Sequence, residues 1–378
     1  MKKIAIIGGG IGGLTLANSF QNLGIEYQLF ESASAFGDVG AGIGTSETTL
    51  EVFSKLGLKE DLMKKGSLIN YAVIVDEDMN TIKRMPKEIN SFCIHRSYLI
   101  DVISQNIDMA NVSFNHRLID IAVNENTNTL TFENGIEYEF DTVVACDGIN
   151  SLIRRKLFPD IKKRYSGQTI WRGIAKCSFP EKFNKTYYEF WGHNLRFAII
   201  PSGDNEYFWY AVKPSKPDEH DDPTTIKEEL KRLFKNFIPE VSIAIDSSPQ
   251  FIRNDMWDLI PENRLWHYKN IVFVGDAIHA TTPNLAQGGC QAIEDSYTLS
   301  LIIKKYGANQ KAFEKYKNLR IKKVNMIVKQ SWSYGKIAHQ SNFLKKIAVR
   351  FLFKYVLPNS YFKNLHNKLI DLKYLKKI

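Results

Sequence analysis

Cysteine is scarce, with four in 378 residues. Cys93, Cys146, Cys177 and Cys290 stand far apart, and none belongs to a Cys-x-x-Cys pair. That spacing excludes a disulfide framework and a cysteine-built zinc site, and it fits a reducing cytoplasm. H-E-x-x-H and Ser-His-Asp constellations are lacking too, so neither a metal centre nor a hydrolytic triad is expected. Apolar runs are short. Lys2 and Lys3 precede one that covers only residues 4–7 before glycine intervenes, too little for a secretory signal. No stretch approaches the roughly 20 apolar residues of a membrane-spanning helix. Repeats and low-complexity tracts are absent, while 44% hydrophobic and 24% charged residues fall in the globular range.

Acid is scarce at one end. From Lys345 onward nine Lys or Arg face Asp371 alone, so this tail carries +8 of the net +9. The remaining 344 residues are nearly neutral, which argues against a nucleic-acid groove across the body. Length favours two closely packed domains, because one core stops growing below this size.

What is present begins with an apolar run over residues 3–7, read as a buried parallel strand, that enters Gly8-Gly9-Gly10-Ile11-Gly12-Gly13. Gly8, Gly10 and Gly13 fill the G-x-G-x-x-G spacing. Such a turn lets backbone touch a pyrophosphate and opens a helix whose free N–H groups favour negative charge. The helix is expected over 14–23, ending at Gly24, followed by a strand over 26–30 that closes on Glu31. A carboxylate there accepts hydrogen bonds from a ribose hydroxyl. Strands over 141–145 and 271–274 lead into two further turns, Asp147-Gly148 and Gly275-Asp276. Ligands of open α/β sheets sit beyond the carboxyl ends of the strands, so all three turns can converge on one extended nucleotide.

Together the three turns resemble the single-component FAD-dependent aromatic hydroxylases, the family of para-hydroxybenzoate and salicylate hydroxylases. The stretch from Gly275 to Asp295 is most similar to the branch holding zeaxanthin epoxidase and FAD-dependent urate hydroxylase, and the likeness runs from residue 3 to about residue 336. The resemblance implies FAD as cofactor, NADPH or NADH as co-substrate, and O2 inserted into substrate through a flavin C4a-hydroperoxide. It implies that Asp276 binds the ribityl chain, that Asp147 and Gly148 serve FAD and the nicotinamide nucleotide, and that Arg96, opening a helix over 97–107, contacts the flavin nucleotide. Gly42 and Ile43, with Gly40 and Ala41, resemble the loop lining the isoalloxazine ring. Gly288 and Gly289 open a helix to about residue 305, with Ile293, Tyr297 and Leu301 as its core face. Their bare backbone suits the ring edge where reduction leaves negative charge. Pro283 supplies a rigid wall.

Between residues 164 and 212 the pattern changes to alternating strands, expected over 168–177, 187–191, 196–200 and 207–212, with aromatic residues crowded among them. This matches the antiparallel sheet that roofs the substrate pocket in the family. Arg172 and Arg196 are the leading catalytic candidates, since a guanidinium grips a carboxylate or enolate bidentately. Tyr210 follows, then His193. Three positions depart from the family pattern: Ser32 replaces a frequent Arg, Ala286 a usual Gly, and Asn284 an acid that contacts substrate in urate hydroxylase. Urate is therefore not the expected substrate.

The expected fold is α/β: a Rossmann-like FAD-binding domain from residues 1–70, 95–165 and 250–305, an inserted antiparallel β-sheet substrate domain from 71–94 and 166–249, and C-terminal helices from 306. A helix over 224–237 should back the inserted sheet. The expected function is hydroxylation or epoxidation of an aromatic, polycyclic or unsaturated small molecule. Inactivation of a tetracycline-type antibiotic and oxygen-independent reduction of a double bond are the alternatives. No nucleic-acid partner is expected. Helices over 343–357 and 361–375 are amphipathic and basic. The favoured expectation is that their apolar face closes the substrate domain and the lysines solvate it; the competing one is peripheral contact with an anionic membrane.

Overall fold

The computed structural model describes residues 3–37, 41–85, 91–261, 265–340 and 342–378, the side chain of Phe343 excepted. Lys2 and Gly40 lie outside the described residues.

Ile4–Ile7 is a strand with all four residues buried, and its β-branched side chains suit a position covered on both faces. It pairs in parallel with Thr142–Ala145 on one side and Gln28–Phe30 on the other. Ile271–Phe273, Val112–Ser113 and the antiparallel His267–Tyr268 complete a six-stranded sheet. At the carboxyl ends of its central strands the chain enters Gly8, Cys146–Asp147 and Val274–Gly275, so the three expected turns share one rim. The helix after the first turn spans Ile11–Asn22, starting three residues earlier than the apolar periodicity suggests.

A second sheet has seven strands, in the order Phe251–Leu259, Lys163–Lys176, Glu206–Pro214, Arg196–Gly203, Thr186–Trp191, Tyr71–Val75, Thr81–Arg84. Every neighbour is antiparallel except Thr186–Trp191 against Tyr71–Val75. Phe251–Leu259 was grouped by sequence with the nucleotide-binding segments, yet it pairs with Lys163–Lys176 from Lys163↔Leu259 to Gly173↔Phe251. An edge strand with few buried positions carries no clean alternation to betray its sheet. Behind the sheet lie two helices, Ile226–Leu233 and Pro239–Asp246, where one over 224–237 was expected. Phe197 stacks on Trp209 there, with ring centroids 5.3 Å apart, beneath Ile226, Leu230 and Phe234. A small sheet of Gly42–Thr45, Ser91–His95 and Ser67–Ile69 forms a third element.

Two long helices, Gly288–Tyr306 and Gln310–Ala338, follow the parallel sheet. Ile293 is buried as expected, but Tyr297 and Leu301 are only partly so. Polar residues bury deeper. Arg320, wholly enclosed, donates from Nε to Asp295 at 2.7 Å, from Nη1 to Glu294 at 2.7 Å and from Nη2 to Gln291 at 2.7 Å. Asp295 also meets His279 Nε2 at 2.5 Å and accepts the Gly275 amide at 3.1 Å. Glu294 further accepts from Thr48 at 2.8 Å, Lys323 at 2.8 Å and Tyr374 at 3.1 Å. Burial works against the Asp295 carboxylate, but His279 and Arg320 outweigh it and bring its pKa down to about 2.

Replacing Arg320 by Met should leave the buried Asp295 and Glu294 with only His279 and Lys323 as cationic partners and lower stability by about 3–5 kcal/mol, measurable as a large drop in the thermal midpoint of the purified protein. An unchanged midpoint contradicts the assignment. His339 gives a separate expectation. Desolvation, with Arg196 adding to it, pulls its pKa from 6.5 down to about 3. Below its ordinary pKa the unfolded chain binds a proton that the folded chain refuses, so stability should fall as pH drops from 6.5 toward 3. His339→Gln should flatten that part of the stability–pH curve.

Candidate functional site

One cavity of about 1020 Å³ runs from the rim of the parallel sheet to the inner face of the seven-stranded sheet. Its nucleotide end is built from backbone. At Gly8 (φ +104°) a Cβ would lie 2.6 Å from the Cys146 carbonyl oxygen, and at Gly13 a Cβ would lie 1.9 Å from the Gly8 oxygen. Both glycines are thus demanded by packing. A Cβ at Gly10 would meet nothing within 4 Å, and this residue faces the cavity at the uncapped start of the Ile11–Asn22 helix. Helix-start amides left without side-chain caps attract an anion such as a pyrophosphate.

Glu31 follows its strand and braces the turn, accepting from the Gly9 amide at 2.7 Å and the Ala33 amide at 2.8 Å. Asp147 caps the Leu152–Leu157 helix through the Leu152 amide at 2.9 Å, and burial raises its pKa. Its Oδ1 is buried without a hydrogen-bond partner among the described residues. Gly148 beside it lines the cavity, as do Gly275 and Asp276. The Asp276 carboxylate opens onto this space. Its enclosure by protein raises its pKa, against the opposing charges of His279, Arg96 and Arg154. His279 is turned toward Asp295, so it forms no dyad with Asp276.

Gly288 and Gly289 begin the long helix at the cavity wall, with no side chain capping its first turn. A Cβ at Gly289 would stand 3.0 Å from Ile43 Cδ1, crowding another cavity-lining side chain, whereas one at Gly288 would make only ordinary contact with Thr281. Pro283 starts a short turn ending in left-handed Ala286 (φ 52°). Gly42 serves packing, since a Cβ there would lie 2.2 Å from Phe208 Cγ. Arg96 opens the Arg96–Ser104 helix with its amide bound to the Ala41 carbonyl at 3.0 Å and its side chain on the cavity. The unpartnered Asp147 oxygen, the cavity-facing Asp276 and the glycine cradles fit a flavin dinucleotide.

The opposite wall is the aromatic sheet. Arg172 donates to Asn254, leaves Nε without a partner and has no ion pair among the described residues. Desolvation lowers its pKa, and neighbouring Arg96 adds to the effect. Arg196, expected to offer its guanidinium to a substrate anion, is buried and already engaged: Nη1 meets Glu189 at 3.0 Å and Nη2 meets Asn284 at 2.5 Å. Glu189 also accepts from Tyr187 at 2.9 Å and Tyr334 at 2.5 Å, and Tyr210 lies 2.7 Å from the Tyr187 hydroxyl. Burial first, then the Glu189 charge, pushes all three tyrosine pKa values upward, so each keeps its proton at neutral pH. His193 is exposed and does not line the cavity.

Sequence reasoning missed Glu189, Tyr187 and Tyr334. Tyr187 and Glu189 alternate on one face of Thr186–Trp191, so the period of two could have set them beside the cavity. Tyr334 arrives from the Gln310–Ala338 helix, for which no local pattern exists.

Comparison with known proteins agrees with this geometry. A family model described as an FAD binding domain matches residues 1–331. Aurachin C monooxygenase/isomerase of Stigmatella aurantiaca is 31% identical over 90% of each chain. The 2-heptyl-3-hydroxy-4(1H)-quinolone synthase of Pseudomonas aeruginosa is 26% identical over 97% of each. Among solved structures, Klebsiella pneumoniae HpxO complexed with FAD and uric acid superposes with a TM-score of 0.88 at 21% identity, covering 98% of this chain and 97% of that one. The family match across most of the chain, together with a relative above 30% identity, shows that this protein belongs to the FAD-binding-domain family of FAD-dependent monooxygenases.

Proposed function

We propose that the enzyme uses NAD(P)H and O2 to hydroxylate or epoxidise an aromatic small molecule carrying a polar head and an apolar extension. The observation that carries this reading is the cavity joining the glycine rim to a wall where Arg172 forms no ion pair among the described residues. FAD, when bound, supplies electron transfer and oxygen activation; the chain must hold it, place substrate and keep water out. Gly8, Gly10, Gly13 and Glu31 would hold the adenosine part, while Asp147, Gly148, Gly275 and Asp276 would hold the chain toward the ring. Arg96 would meet the flavin nucleotide, and the ring would be bounded by Gly42, Ile43, Pro283 and the amides at Gly288 and Gly289.

Arg172 would bind an oxygen of substrate that carries or develops negative charge. Tyr210 would meet a substrate hydroxyl or N–H, and the hydrogen-bonded line Tyr210–Tyr187–Glu189 gives its proton a path away from the ring. Arg196 acts through Glu189, holding that carboxylate in place. Ile69, Ile74, Ile170, Ile200 and Phe208 make the surrounding wall apolar. One relative is named as the synthase of a heptyl-substituted hydroxyquinolone, which supports an aromatic substrate with an apolar chain. In the same reading the enzyme works in the cytoplasm.

Purified protein should be yellow with FAD, and a substrate screen should find compounds that raise NAD(P)H oxidation and oxygen uptake in equal amounts. Anaerobic turnover to a saturated product would show a reductase instead. Arg172→Ala should raise KM at least tenfold, consistent with losing a charged hydrogen bond of about 1.5–3 kcal/mol, with FAD still bound. Unchanged steady-state constants would sink the assignment.

A further inference from the structure

The first C-terminal helix sits the opposite way round from the favoured expectation, whereas the second, Asn359–Leu369, turns Phe362, Leu365 and Leu369 to the cavity and leaves Lys363 and Lys368 exposed, as expected. In the Phe343–Phe351 helix and the turn Leu352–Val356, two cations point inward: Lys346 and Arg350 meet Glu77 at 3.0 and 2.8 Å, and Arg350 also donates to the Trp191 carbonyl at 2.6 Å. Phe353 joins them, its ring 5.2 Å from Trp191 and 5.8 Å from Phe362. The apolar stripe therefore faces solvent. Leu344 is 74% exposed, Tyr355 67% and Phe351 57%, with Ile347, Val356 and Tyr361 beside them. A seam at i, i+3, i+7 and i+11 on a helix normally meets a core; here it meets none.

We infer that this face docks on a membrane surface rich in anionic lipid. Charge complementarity selects that occupant. Residues 342–370 contain no Asp or Glu, and the exposed Lys345, Lys354, Lys363 and Lys368 form no ion pair among the described residues. An apolar stripe with aromatic rings and flanking lysines matches the headgroup–acyl boundary. A second copy of the chain fits poorly, because pairing through the same face sets these lysines against their own counterparts. The next helix, Asn359–Leu369, links the patch to the cavity: Tyr361 stands exposed at the surface and also lines the cavity, with Phe362, Leu365 and Leu369. A substrate with an apolar chain can thus pass from bilayer to cavity along these helices. That delivery rests on the proposed substrate class, whereas the docking does not.

The test is flotation of the full-length, FAD-loaded protein with phosphatidylcholine vesicles, with and without phosphatidylglycerol. Wild type should float only with phosphatidylglycerol and dissociate in high salt. A Leu344→Ser, Phe351→Ser, Tyr355→Ser variant, retaining its flavin absorbance, should bind about tenfold or more weakly, as expected when the buried apolar area is removed. Wild type staying in solution, the variant binding equally well, or a wild-type dimer that the variant splits into monomers would each overturn the inference. The readout is lipid binding, so oxygen-coupled turnover without flotation defeats this inference alone. Flotation without turnover on any substrate defeats the proposed function alone.

Discussion

One guanidinium holds the catalytic half of the molecule together. Arg320 lies dry between Glu294 and Asp295, and through those acids it reaches the Gly275 turn, His279, the Glu47–Lys55 helix by way of Thr48, and Tyr374 near the end of the chain. Burying such charges gains little over apolar packing, so stability alone does not explain the arrangement. Direction does. Hydrogen bonds to a carboxylate fix angle as well as distance, and this set orients the turn bearing Asp276 and the helix opening at Gly288. An apolar contact in the same place would let both slide.

The substrate wall follows a different electrical rule. Arg196 and Glu189 cancel within the wall, wrapped by three protonated tyrosines, so that corner offers hydrogen bonds without net charge. Arg172 is left as a cation facing the cavity, close enough to Arg96 that the neighbouring charge adds to the desolvation that lowers its pKa. An anion arriving between them relieves both the repulsion and the lost hydration. Asn284 contributes to the neutrality. A carboxylate there would give Arg196 a second acid and leave the corner negative.

The fold was legible where backbone chemistry is local. Gly8, Gly13 and Gly148 mark turns that few other residues could make, and the β-branched runs before them announce buried parallel strands. What was hidden depends on partners distant in sequence. Phe251–Leu259 looks like neither face of a sheet until Lys163–Lys176 is beside it. Arg196 reads as a free cation until Glu189 is seen opposite, and Arg320 lies in a helix whose charges look solvated from sequence. The tail shows the limit of periodicity: spacing defined the amphipathic face but could not say which side turns inward, because that choice rests on Glu77, more than 260 residues away.

The span of the Arg320 network also bears on how the chain is made. Synthesis proceeds from the N-terminus at about 5–20 residues per second, so Glu294 and Asp295 leave the ribosome before Arg320 does, and Tyr374 later still. The central strand Ile4–Ile7 waits likewise for Thr142–Ala145 to close beside it. Until then the nascent chain carries an acid pair it cannot bury, and the helix holding them has reason to stay in water. Premature packing around the nucleotide rim is thereby discouraged until Arg320 has emerged.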